Sequence, residues 1–201
     1  MKRLSTDAEY LNSGKLVLDA DGIPFEPASK GYVDQRVPID SFTGTGSPEG
    51  KVTAPVGSVY TDTAATTGAI RWIKTSGTGN TGWVVEYGDT GWRDIAGSST
   101  AISGELRIRR TENIVYLAIV DARFDVSSGS QVITLPTGFR PQRFTYGQST
   151  KYWDPEASRP GRIRDTGIVE FRPLTAGDVI KWDISFATTN PWPATLPGTP
   201  A

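Results

Sequence analysis

The chain has 201 residues, with 21 Lys and Arg against 22 Asp and Glu, no histidine and no cysteine. Without those two side chains it can build no disulfide, thiol nucleophile, Ser-His-Asp site or His- or Cys-ligated metal site; carboxylate chemistry and an oxygen-ligated Ca²⁺ or Mg²⁺ remain open. The 22 glycines and 14 prolines beside six tryptophans describe a turn-rich β protein, and a net charge of -1 gives no electrostatic footprint for nucleic acid.

In chain order, residues 1–40 come first. No apolar run follows Lys2 and Arg3, and no stretch of the chain reaches the roughly 18 apolar residues of a membrane span. A soluble protein made in the cytoplasm is expected, with no membrane insertion. Asp19-Ala-Asp-Gly22 lies between two short extended pieces and reads as a turn, since the later oxygen ligands of a calcium loop are missing. Ser29 is placed to cap a short helix carrying Tyr32, Val33 and Val37 on one side, and Pro38 stops it. So short a helix needs something to pack against.

Residues 41–56 have the composition of a linker, rich in Gly, Ser, Thr and Pro. Residues 57–95 read as a small antiparallel β module with strands near 58–62, 69–74, 83–87 and 92–95. About 39 residues is small for an independent domain, and three tryptophans in that length suggest packing against another subunit or the next domain. Residues 96–103 read as a second linker.

Residues 104–201 carry the strongest strand signals. Leu106 and Ile108 alternate with arginines, and 114–120 is an apolar run of the kind buried on both faces. Further strands are expected near 131–135, 143–146, 162–164 and 168–171, the last two joined by a turn at Asp165-Thr-Gly167. Ile180, Trp182, Ile184 and Phe186 alternate with polar residues in a clean period of two. Seven or so short strands at this spacing predict a mainly β fold with a C-terminal jelly-roll-like β-sandwich. The tail from Asn190 holds too many prolines for a strand, with Trp192 placed to dock.

Candidate chemistry is sparse. Asp154 and Glu156 beside aromatics admit a carboxylate-based glycan hydrolase, but two acids in a proline-containing loop are ordinary surface residues, and no enzyme and no cofactor are expected. Tyr152, Trp153, Arg159 and Arg162 form a candidate glycan-binding group, with aromatic faces for sugar rings and charged groups for hydroxyls. Trp153 as a core or interface tryptophan is the competing reading. The many arginines of this half are nearly balanced by acids, which favours solvated strand faces or interface salt bridges over a phosphate-rich partner.

Specific segments add a resemblance. Pro27-Ala-Ser-Lys-Gly-Tyr-Val-Asp34 resembles a segment recurring near the N-termini of tailed-phage fibre and appendage proteins. Residues 54–83, with Tyr87-Gly-Asp-Thr-Gly-Trp-Arg93, are similar to a module of minor tail and fibre proteins of phages of actinobacteria. Residues 132–141 and 189–198 resemble the C-terminal β-sandwich of phage tail fibres and receptor-binding proteins. The resemblance implies a virion structural protein and a homotrimer. Residues 1–40, with Tyr32, Val33 and Val37, would attach to other phage structural proteins of tail, baseplate or capsid. The distal β domain would face a host cell-surface glycan. A head fibre or capsid decoration protein with a mainly structural role is the alternative.

Overall fold

The computed structural model describes residues 17–18, 24–25, 40–124, 131–151 and 154–201. Contacts divide the chain into Met1–Pro38 and Ile39–Ala201. In the first unit β1 (Val17–Leu18) and β2 (Pro24–Phe25) pair antiparallel, Val17 opposite Phe25. These strands fall in the two extended pieces expected around residues 19–22, which themselves lie outside the described residues. The expected helix carrying Tyr32, Val33 and Val37 lies outside the described residues.

The second unit contains two sheets. The smaller has the order β3-β4-β5-β6, from β3 (Ser41–Gly44), β4 (Val59–Asp62), β5 (Ala69–Lys74) and β6 (Trp83–Gly88). It is mixed rather than antiparallel, because β3 runs parallel to β4, Ser41 opposite Val59. Parallel neighbours need a crossover of about a dozen residues, and 45–58 supplies it. The segment with linker composition therefore holds a strand and a crossover. Its Ala54 is buried in the small core with Tyr60, Ala69, Trp72 and Trp83. Trp83 donates from its indole nitrogen to Val52 O at 2.8 Å and meets Phe42 and Tyr60 edge-on. These aromatic contacts supply much of the buried area of this small core.

In chain order the larger sheet takes β7 (Arg93–Asp94), β8 (Ala101–Thr111), β9 (Ile114–Phe124), β10 (Gln131–Thr134), β11 (Thr145–Lys151), β12 (Asp154–Ile163), β13 (Ile168–Phe171), β14 (Val179–Ala187) and β15 (Thr199–Pro200). Their spatial order is β10-β13-β12-β11-β14-β9-β8-β7-β15. The fold is mainly β, and the sheet curls around one core. Thr100, just before β8, donates its backbone N–H to Val132 O on the far edge strand β10 at 2.9 Å. Leu106, Ile108, Val115, Leu117, Ile119, Val132, Ile163, Val169, Phe171, Ile180 and Trp182 fill the interior as one cluster. Burial of each large apolar side chain contributes roughly 1.5–3 kcal/mol.

Two elements depart from the sequence expectation. The second expected linker contains one 3₁₀ turn (Ala96–Ser98) and the start of β8, and Ile95 beside it is a core residue. The apolar run at 114–120 buries one face only, with Val115, Leu117 and Ile119 inside and Tyr116 at 39% exposure outside. No second layer covers that outer face among the described residues, so apolar content there did not imply burial. Among the same residues, no helix is long and apolar enough to cross a membrane.

Candidate functional site

The outer face of β11, β12, β13 and β10 gathers an aromatic and arginine platform. Period two puts Phe144, Tyr146 and Gln148 on one side of β11 and its lead-in. Register then places Tyr146 opposite Arg162, Arg162 opposite Glu170, and Glu170 opposite Gln131. One row thus crosses four strands as Tyr, Arg, Glu, Gln. On the other face, Gly147 and Gly161 lie opposite each other over Trp182. A Cβ at Gly161 would come within 2.9 Å of the indole ring and of Phe171, so the close approach of hairpin and β14 requires glycine there.

The aromatic pair is open. Phe144 and Tyr146 stack with ring centroids 6.4 Å apart and planes 23° apart, at 48% and 68% exposure. Leaving two large rings side by side in water forgoes burial energy. Beside it, the start of β11 and the end of β14 diverge. The two strands pair only at Thr150 with Lys181 and Lys151 with Ile180. The gap is a cleft of about 600 Å³ lined by Gln142, Arg143, Thr145, Phe186 and Ala187.

The charged part is organised around Glu170, which is 4% exposed. Arg162 Nε donates to one of its oxygens, and Arg164 Nη2 donates to the other at 2.5 Å. Arg172 Nη2 lies 3.7 Å away. Burial pushes the Glu170 carboxyl up, but the bonds and charges of Arg162 and Arg164 outweigh it and hold it below the usual carboxylate range. Two arginines are thereby locked in place on the sheet, with Phe144 and Tyr146 one strand away.

A second ion cluster lies farther along the same strands. Asp178, also buried, receives Lys151 Nζ at 2.8 Å and has Arg159 Nε at 3.8 Å. Burial again pushes this carboxyl up, and Lys151, the Thr175 N–H and Arg159 together hold it low.

Of the residues singled out from sequence, Arg162 belongs to the platform and Arg159 to the Asp178 cluster. Tyr152 and Trp153 lie outside the described residues. Asp154 and Glu156 fall in strand β12 rather than in a loop, with side chains outside the described set. Phe144, Tyr146, Arg164 and Glu170 were not singled out. A signal for them exists: the Asp165-Thr-Gly167 turn fixes Arg162 opposite Glu170, and period two then brings Arg164 to the same face.

No family model matches the chain, and no curated protein matches it. One similar solved structure is the head domain of the lactococcal phage bIL170, described among the receptor-binding domains of lactococcal phages. It is 18% identical, with a TM-score of 0.36, and the match covers 51% of this chain and 98% of that one.

Proposed function

We propose that this chain is a structural protein of a phage particle that attaches the particle to a glycan on the host-cell surface. The attachment surface is the outer face of β11–β13. The observation that carries the reading is the exposed Phe144–Tyr146 stack beside two arginines fixed by a buried carboxylate. Flat rings offer faces to pyranose rings, and rigid guanidinium groups offer directed donors to ring substituents. The sequence resemblances at 27–34, 54–83, 132–141 and 189–198 support the virion setting. In this reading residues 1–40 hold the particle and the chain is a homotrimer. Ile70, Val84 and Tyr87, exposed on the small sheet, supply apolar surface that symmetry mates would cover.

The test is adsorption of the purified protein to host cells, with light scattering on the same preparation. Tyr146→Ala is expected to lower adsorption about tenfold or more while the melting temperature holds, and the mass is expected near three chains of 21.7 kDa. Equal adsorption by a folded Tyr146→Ala protein would remove this surface from the account, and a monomer mass would remove the trimer.

A further inference from the structure

We infer that the platform binds an acidic saccharide, one bearing a carboxylate or a phosphate, rather than a neutral one. The inference deepens the attachment reading and rests on it. Its ground is an inventory of donors and acceptors. Both oxygens of Glu170 are taken by Arg162 and Arg164. Gln148 Oε1 accepts from Ser158 Oγ at 3.2 Å. Of the platform's side-chain acceptors, those of Glu170 and Gln148 are therefore already engaged inside the protein.

The donors are not. A guanidinium carries five N–H groups. Arg162 commits its Nε and Arg164 one terminal nitrogen to Glu170. Their remaining terminal N–H groups meet no partner among the described residues. The Gln148 amide nitrogen adds further donors, and the Tyr146 hydroxyl adds one donor together with an acceptor. Neutral sugar hydroxyls both donate and accept, so a site whose free donors outnumber its free acceptors matches them less well. A deprotonated carboxylate or phosphate only accepts, and it fits a donor-rich surface.

Charge points the same way. Glu170 is a single carboxylate, and Arg162 and Arg164 both pair with it, so the cluster keeps positive charge next to the exposed rings. Arg162 and Arg164 are partly withdrawn from water, at 27% and 34% side-chain exposure, which limits screening of an anion bound there. The stacked rings would take the apolar face of the sugar, and the arginines its anionic substituent.

The experiment uses the full chain and envelope polysaccharide extracted from cells to which it adsorbs. Binding is measured by calorimetry on untreated, carboxyl-reduced and chemically dephosphorylated polysaccharide. One of the two treatments is expected to weaken binding at least tenfold, and which one does so identifies the anionic group. Binding to the untreated material is expected to fall as salt rises from 0.05 to 0.5 M, about the range over which Debye screening shortens. Arg164→Gln is expected to remove the preference for the untreated form. Arg164→Lys, which keeps the charge, is expected to restore part of it. Undiminished binding after both treatments, or an unchanged preference in a folded Arg164→Gln protein, overturns the acidic-saccharide inference. If that binding is still lost in Tyr146→Ala, the attachment reading survives. Absence of binding to all three preparations, with Tyr146→Ala adsorbing like the unaltered protein, overturns both.

Discussion

Arg110 is a buried arginine that faces no carboxylate among the described residues. At 5% exposure it donates to the carbonyl oxygens of Glu112, Gly138, Asn190 and Pro191 at 2.6–3.1 Å and stacks on Trp192, 4.9 Å from the ring. Burial draws its pKa down to about 10, so it stays charged at neutral pH. Removing it strands four carbonyls at once. Arg110→Met is expected to cost about 3 kcal/mol, read from urea unfolding, and Arg110→Lys to recover only a fraction because it lacks the planar fork. A loss below about 0.5 kcal/mol would mean that those carbonyls find other partners. Glu170 makes a pH prediction. Its folded pKa lies below its unfolded value, so its contribution is complete above the unfolded pKa of about 4.3 and is lost as pH falls through the folded value. Asp62, Asp89 and Asp178 are held low too and share that acid limb. Glu170→Gln is expected to lower the melting temperature at pH 7 and to flatten its fall below pH 4, measured by circular dichroism. An acid limb as steep as in the unaltered protein would deny Glu170 that role.

At the scale of elements, the C-terminal tail is the strap of the second unit. Trp192 donates its indole N–H to Thr67 O at 3.0 Å and packs on the small core, with its ring 2.9 Å from where a Cβ on Gly88 would be. Farther on, Arg93 donates to Pro197 O and Gly198 O, and β15 pairs with β7. The tail thus ties the small sheet to the large one, as Asp89 does through its pair with Arg109. Trp192→Ala is expected to destabilise by about 3 kcal/mol, with amide exchange in β4–β6 speeding up more than in β9 and β14. Uniform acceleration across both sheets would argue against a strap. These elements also show where sequence was enough. The 180–186 alternation and the Asp165-Thr-Gly167 turn are local patterns, and β13 and β14 formed where they pointed. The strand at 41–44 was hidden because its partner is 18 residues away and parallel, and four residues of Ser, Phe, Thr and Gly carry no periodic signal. β8 begins earlier than its alternation predicts because its first residues, Ala101, Ile102 and Ser103, have loop composition, and only the pairing of Ala101 with Phe124 and Ser103 with Arg123 makes them strand.

At the scale of the whole molecule, the curl decides which chemistry is presented. It turns the apolar faces of β8–β14 inward around Trp182 and leaves Phe144, Tyr146, Arg162 and Arg164 outward together. The sequence reading singles out Arg162 as a glycan-binding candidate and groups it with its neighbours in the chain, Tyr152 and Trp153. The neighbours that matter in the described structure come from β11 and β13, through registers that composition does not encode. The most direct test is a chemical-shift map of the isotope-labelled chain with envelope polysaccharide fragments from cells it adsorbs to. The account predicts shifts concentrated on Phe144, Tyr146, Gln148, Arg162 and Arg164; shifts concentrated on the small sheet or around Asp178, with these five unmoved, would contradict it.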